Sequence, residues 1–347
     1  MGFFKNKGLA FILIPCLVLL LMVSLAGCMG FGGKPNSEAP GKDKVAGRVA
    51  PRGNITEPKA PTRMTQEPTL RVYMHETGQV RSMPLETYLE GVVAGEMKSD
   101  WPIQALAAQA ILARTFTMEL LNRKKGMFRG GADISTDIRE AQAYNAEAIN
   151  DNVRRAVRMT RGQVALHEGR YIHAWYFSSA GGITATAKEG LAYPGSEPKY
   201  IKVIKTPEEN AVLEAEKRNW RAEFSGQEIQ TAVRALGKDV GTIQGISILR
   251  RGPSGRADII RVRGTNGTAD VKGAELRIRL GSEKMRSLLL NKLVVVQGGR
   301  VVMAGRGFGH GVGMSQYGAY GLAKQGKTYD FIIKRYFRNI TIQRLWR

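Results

Sequence analysis

The sequence predicts an α+β fold: one mixed helix-and-strand domain with a substrate cleft, set behind an export signal and a disordered linker. Three observations carry this. Strand-like and helix-like segments follow one another without the regular βαβ alternation of a parallel α/β sheet. Hydrophobic residues make up 43% and charged residues 24% of 347 residues, enough for a large core. Ahead of those segments lies a stretch rich in proline and poor in large apolar side chains. The expected boundaries are 1–28 for the signal, 29–68 for the linker and 69–347 for the folded domain.

The elements are expected as follows. Leu70-Arg71-Val72-Tyr73-Met74 alternates like a strand, and Gly78 supplies a turn. Pro84 opens a helix as its first-turn proline, with an apolar stripe of Leu85, Tyr88, Leu89, Val92 and Val93. A second helix runs from Pro102 to about Lys124, capped near Gly126. Residues 130–150 are ambiguous. Strand signals at 163–166 and 171–177 flank Gly169. Helices are expected over about 207–219 and 227–236, and short strands at 246–250, 257–263 and 268–271. Leu293 to Met303 reads as a hairpin turning at Gly298-Gly299. The chain closes with helices from about Met314 to Lys324 and Asp330 to Phe337, then a strand near 340–345. No internal repeat is visible.

Lys5 and Lys7 precede a run from Leu9 to Leu25 that holds no charge, and Leu25-Ala26-Gly27-Cys28 follows. A basic end, an apolar stretch and small residues before a break make an export signal. The Leu-Ala-Gly-Cys ending resembles a bacterial lipoprotein signal, in which Cys28 would be lipidated and become the new N-terminus. An uncleaved anchor helix is the other reading, since the run is nearly long enough to span a bilayer. Both place the domain on the outer face of the cytoplasmic membrane. Residues 29–68, with Pro35, Pro40, Pro51, Pro58, Pro61 and Pro68, cannot bury enough surface to offset their ordering entropy.

Charge then narrows the partners. Lys and Arg number 52 against 30 Asp and Glu, a formal charge of +22, which points to a polyanionic neighbour. Export removes most nucleic-acid readings and leaves lipid head groups or wall polymers. Cys16 and Cys28 are the two cysteines, so no disulfide framework and no multi-thiolate zinc site can form. The four histidines, His75, His167, His173 and His310, lack ligand spacing. No metal and no cofactor are expected.

Two charged residues interrupt apolar stripes. Glu96 takes the next position of the face formed by Leu85, Leu89 and Val92. A carboxyl on a buried face near the negative end of a helix dipole would favour its neutral form, as a general acid requires. The alternative is a frayed helix end with Glu96 in water. Arg114 continues the stripe of Ile103, Leu106, Ala107 and Ala110, where it could serve a structural ion pair or contact a substrate.

Glycine occupies every second position from Gly305 to Gly313, which lets backbone pass close to another chain or to a ligand. No Gly-Lys-Ser/Thr follows, so this is not a phosphate loop, and the frame of a dinucleotide fingerprint is missing. His310, Ser315 and Gln316 offer hydrogen-bonding groups for a sugar or a peptide. Tyr176-Phe177-Ser178-Ser179-Ala180-Gly181-Gly182 forms a second polar loop without the spacing of a nucleophile elbow.

Together these segments resemble the stage II sporulation protein D family. Pro84 to Met97 is similar to its first motif, and Trp101 to Thr115 to the helix that follows. Ser178 to Gly182 and Ser254 to Ala257 fit later blocks. Gly309-His310-Gly311-Val312-Gly313-Met314-Ser315-Gln316-Tyr317-Gly318-Ala319 is the most specific signature. The resemblance implies a lytic transglycosylase that cuts peptidoglycan glycan strands, especially strands stripped of stem peptides, with Glu96 as catalytic acid. Arg114, Ser178, His310, Ser315 and Gln316 would position the sugar. It also implies a wall amidase and a membrane scaffold of the sporulation machinery as partners. Some members carry zinc at a Cys-containing block, but Asp137 to Tyr144 holds neither Cys nor His. A wall-binding modifier that activates an amidase, as some relatives are described, and a membrane-tethered basic adaptor are the alternatives.

Overall fold

A computed structural model describes residues 58–61, 63–123, 126–213 and 218–347, and these form an α+β structure. The expected signal, Cys28 and most of the expected linker lie outside the described residues. The linker's expected end at 68 is corrected. Tyr171 N–H donates to Pro58 O at 3.0 Å, Ala60 N–H to Gly169 O at 2.9 Å and Met64 N–H to Leu345 O at 2.7 Å, so this stretch is bound to the domain.

The chain builds two apolar cores. The first begins with β1 (Thr69–Met74) and β2 (Gln79–Pro84), an antiparallel hairpin that turns at Gly78 with φ of +70°. The short β3 (Ile134–Ser135) lies parallel on the other edge of β1. Helices α1 (Leu85–Glu96), α2 (Ile103–Arg123) and α3 (Asp151–Met159) pack together beside them. Strands β4 (Gln163–His167) and β5 (Arg170–Tyr171) are joined antiparallel by the late strand β14 (Thr341–Arg344). A two-stranded parallel ladder links β6 (Tyr176–Phe177) to β13 (Met314–Ser315). The short α4 (Ala187–Leu191) and α5 (Pro207–Asn210), with α8 (Gln316–Lys324) and α9 (Tyr329–Tyr336), complete this part.

The second core lies between 220 and 303 and includes Phe224, Ile260, Val262, Leu276 and Val301. One sheet is the meander β8 (Ile243–Arg251), β9 (Ala257–Gly264) and β10 (Gly267–Lys272). The other sets β7 (Asn219–Phe224) beside the hairpin β11 (Leu289–Val296) and β12 (Arg300–Arg306). Helices α6 (Gly226–Arg234) and α7 (Gly273–Leu280) accompany them.

Several expectations need correction. Pro84 ends β2 and occupies the N-cap of α1 rather than its first turn. Of the helix expected over 207–219, the described residues show α5 at Pro207–Asn210, a break at 211–213 and a helical Arg218, and residues from Asn219 run as β7 paired to β12. Pro207 and two glutamates start that helix, but the alternating Trp220, Ala222 and Phe224 claim a sheet edge instead. Helices α3 and α7 also form: Asn150 caps α3 by accepting from Val153 N–H at 3.0 Å, which offsets its arginine-rich composition.

Glu86 at the start of α1 is the hub of the first core. Its carboxylate accepts from Arg114 Nε at 3.0 Å and Nη2 at 2.5 Å, a two-point pair with a guanidinium that is 0% exposed. It also accepts from Gly162 N–H at 2.9 Å and from Trp346 Nε1 at 3.1 Å. One carboxylate therefore joins α1, α2, the turn before β4 and the C-terminal segment. A buried charge that loses its partner costs about 3–5 kcal/mol. Arg114→Met should destabilise the domain by that order in urea unfolding, and adding Glu86→Gln should recover part of the loss, since the orphaned anion is then removed.

Candidate active site

The last residue of α1 is Glu96, and its helix ends there because Met97 turns extended (φ −131°, ψ 155°). The side chain is half-buried, so neither a dry stripe nor a frayed end describes it. Its Oε1 accepts from Ala143 N–H at 2.9 Å and from the Tyr176 hydroxyl at 3.0 Å. Its Oε2 accepts from Gln316 Nε2 at 3.2 Å. Tyr176 Oη also lies 2.8 Å from Gln142 Oε1, and the Gln142 amide donates from Nε2 to Thr117 Oγ1 at 3.1 Å. Oε1 thus accepts from two inner donors, while Oε2 accepts from Gln316 alone.

Four distant segments supply these groups: the end of α1, the coil at 142–143, β6 and the start of α8. Gly91 and Gly95 make room for the coil, because a Cβ would lie 2.2 Å from Tyr144 Cε2 and 2.6 Å from Tyr144 N respectively. The glycine-rich loop brings α8 beside β6. Gly309, Gly311 and Gly313 have φ of +114°, +86° and +81°. A Cβ at Gly309 would sit 2.7 Å from Phe177 Cβ, and one at Gly313 would sit 2.1 Å from Trp175 O. The alternating glycines therefore serve close approach to a second segment of this chain.

The residues expected to position a sugar divide. Gln316 reaches Glu96 directly. Ser178, half-buried just beyond β6, accepts through its carbonyl from Tyr317 N–H at 3.0 Å, while its hydroxyl bonds to no described residue. His310 holds the loop: Val312 N–H donates to Nδ1 at 3.1 Å, and Nε2 lies 3.1 Å from Tyr176 O, which sets the Nε2–H tautomer. It thereby steadies the backbone of Tyr176. Ser315 is buried; its Oγ caps α8 by accepting from Gly318 N–H at 3.1 Å and donates to Glu209. The guanidinium of Arg114 is committed to Glu86 and to the carbonyls of Gln163 and Ala110, so the structure makes it part of the core rather than of the Glu96 cluster.

Tyr176, Gln142 and Ala143 were not among the expected site residues. Tyr176 and Ser178 sit two apart in an extended stretch and so share a face, a signal present in the sequence. Gln142 and Ala143 lie in the 130–150 stretch, whose pattern offers none.

Beneath the loop, Arg256 and Glu209 form a buried support. Arg256 donates from Nη1 to Ile183 O and Ser254 Oγ, and from Nη2 to Ala180 O, each at 2.9 Å, and burial pushes its pKa down to about 10. Glu209 accepts from Ala180 N–H at 2.8 Å and Ser179 Oγ at 3.2 Å. Arg256 thus ties the β8–β9 turn of the second core to the polar loop after β6.

The zinc block of some relatives has no equivalent donor set here. Asp137 is clamped by Arg139 through Nε at 3.0 Å and Nη2 at 2.7 Å, which holds its carboxyl below its ordinary range. His75 Nδ1 lies against Thr136 Oγ1 at 2.9 Å. Among the described residues no three of His, Cys, Asp and Glu converge. These residues do not fit a zinc ion.

The model described as stage II sporulation protein matches residues 73–167, and a domain of unknown function (DUF8618) matches 195–313. Stage II sporulation protein D of Bacillus amyloliquefaciens is 30% identical over 97% of this chain and 96% of its own. The chain belongs to the stage II sporulation protein D family. The protein of that name from Bacillus subtilis (strain 168) is 30% identical over 87% of this chain and 84% of its own. The amidase enhancer of the same strain is 27% identical over 73% of this chain and 40% of its own. The first family match ends with β4 at His167, so this stage II sporulation protein D relative draws Tyr176 and Gln316 from beyond it.

Two predictions follow from the packing. Gly313→Ala should cost at least about 1–3 kcal/mol for its left-handed backbone alone, before the contact with Trp175 O is relieved. A lowered urea midpoint would show this. Burial, opposed by the hydrogen bonds from Ser315, Ala180 and Ser179, raises the Glu209 pKa above the ordinary 4.5. The folded state then holds the proton more readily than the unfolded chain. Its contribution to stability is full below the ordinary value and is lost as pH rises through the folded value. The melting temperature of Glu209→Gln, relative to the native chain, should therefore climb with pH when both are scanned between about pH 4 and pH 8.

Proposed function

We propose that this protein acts on the cell wall in sporulation as a lytic transglycosylase, cutting glycan strands denuded of stem peptides. The observation that carries the reading is the single carboxyl of Glu96, held at Oε1 by Ala143 and Tyr176 and at Oε2 by Gln316 alone. A hydrolase with two carboxylates needs a second group to activate water or to form a glycosyl intermediate. The cluster is built on the one carboxyl of Glu96, with amide and hydroxyl donors from Ala143, Tyr176 and Gln316 around it. A lytic transglycosylase manages with one.

In the proposed reaction the Glu96 carboxyl gives its proton to the glycosidic oxygen as the bond from C1 to that oxygen breaks. The C6 hydroxyl of the same muramyl ring attacks C1, and its proton passes to the Glu96 carboxylate. The acid is restored, and the product is a 1,6-anhydro ring with no water consumed. Gln316 and Tyr176 keep the carboxyl in one orientation through both transfers. The proposal includes an N-terminus held at the outer face of the cytoplasmic membrane, through lipidated Cys28 or an anchor helix. The family's amidase and membrane scaffold are proposed partners.

A second reading is favoured by the resemblance to the amidase enhancer: a non-catalytic modifier that binds the wall and activates an amidase. Glu96→Gln tests the first. The variant should fold and bind peptide-free glycan strands while cleavage falls by about 10²–10⁴-fold, as for loss of a general acid. Mass spectrometry of the native digest should give anhydromuramyl ends and no incorporation of labelled water oxygen. Normal cleavage by the variant would defeat the Glu96 assignment, whereas a native chain that cleaves no strands by itself but raises the activity of an added amidase would pass the role to the modifier reading.

A further inference from the structure

The chain has four tryptophans, and three are buried: Trp175, Trp220 and Trp346 are 8%, 6% and 2% exposed. Trp101 alone is half-exposed, and it stands in the turn just after α1, five residues beyond Glu96. Its indole packs against two tyrosines of α8. The ring centroid of Tyr317 is 5.0 Å away at 62°, and that of Tyr320 is 4.9 Å away at 46°. Both tyrosines are half-exposed. The indole N–H of Trp101 and the hydroxyls of Tyr317 and Tyr320 bond to no described residue, and at half-exposed rings such tips are open to a polar ligand.

This cluster is anchored from behind. Asn152 Nδ2 donates to Trp101 O at 2.8 Å and to Ser99 O at 3.1 Å. Ser99 Oγ donates to Ala148 O at 2.6 Å. Tyr317 is fixed by its N–H on Ser178 O. The cluster also continues the site. Gln316 and Tyr320 are four apart on α8 and share a face, and Gln316 is the residue that reaches Glu96 Oε2.

We infer that Trp101, Tyr317 and Tyr320 form a sugar-stacking subsite that holds a pyranose ring of the glycan strand beside Glu96. A pyranose with equatorial substituents presents axial C–H groups on its faces, and these meet the negative face of an aromatic ring. The free N–H and hydroxyl tips suit the ring's hydroxyl and acetamido groups. The ligand is thus an uncharged face of an amino sugar, selected by shape and not by the basic charge of the chain. The inference rests on the glycan reading of the Glu96 site and names a part of it.

The test uses the full chain carrying Glu96→Gln, so that turnover cannot mask binding, and an uncharged N-acetylglucosamine oligomer as probe. Binding should change the tryptophan emission, and this change should persist at high salt, where attraction between exposed charges is screened. Trp101→Phe should remove the emission change. Tyr320→Ala, which places a strong helix former on α8, should weaken binding by about tenfold, read by calorimetry. In the native background the same substitution should raise KM for peptide-free strands more than it lowers kcat. Unchanged affinity in a folded Tyr320→Ala chain, or an emission change that survives Trp101→Phe, would overturn the subsite. Cleavage by Glu96→Gln would instead defeat the acid assignment while leaving the binding result to stand or fall by itself.

Discussion

The buried pairing of Glu86 with Arg114 is the constraint on which the first core depends. A carboxylate in an apolar interior must find enough donors to replace its water, and Glu86 finds four: two from Arg114, one from Gly162 and one from Trp346. Satisfying it fixes α1 against α2 at one end of α1. The other end carries Glu96. An element pinned by a buried charge at its start can present a second carboxyl at its finish with little freedom in direction.

The site is a meeting of backbones as much as of side chains. The 142–143 coil reaches Glu96 because Gly91 and Gly95 leave no side chain in its way, and α8 reaches it because the loop from Gly305 to Gly313 runs against Trp175 and Phe177 at distances that any Cβ would obstruct. His310 and Ser315, which look like ligand groups in a sequence, are spent on holding this contact. Behind them Arg256 and Glu209 carry the tie to the second core, with burial opposing the charge of each. Glu96 is therefore backed by a layer of buried polar groups hydrogen-bonded to one another and to the loop backbone.

Much of this was legible from periodicity and punctuation. The stripe on α1 led to Glu96, the alternating glycines announced a close approach, and the hairpin at Gly298-Gly299 and the meander of β8 to β10 formed where alternation placed them. What stayed hidden has physical causes. Whether Arg114 faced substrate or core depended on the position of Glu86, on a different helix. Tyr176 gains its role from a strand pairing with residues 314–315, a contact across more than a hundred residues that local pattern does not encode.

The bond from Trp346 to Glu86 spans 260 positions of sequence. A chain made from its N-terminus onward exposes Glu86 early and delivers that donor only 260 positions later. Until then the carboxylate lacks one of its four hydrogen bonds, and β4 lacks β14, which lies a few residues before Trp346. The first core thus closes only after the whole of the second has been synthesised. Contacts of such separation make folding slow, because loop-closure entropy is lost before the contact forms. Long-range closure of this kind keeps an emerging chain uncommitted, the state in which a polypeptide can still be threaded through a narrow pore.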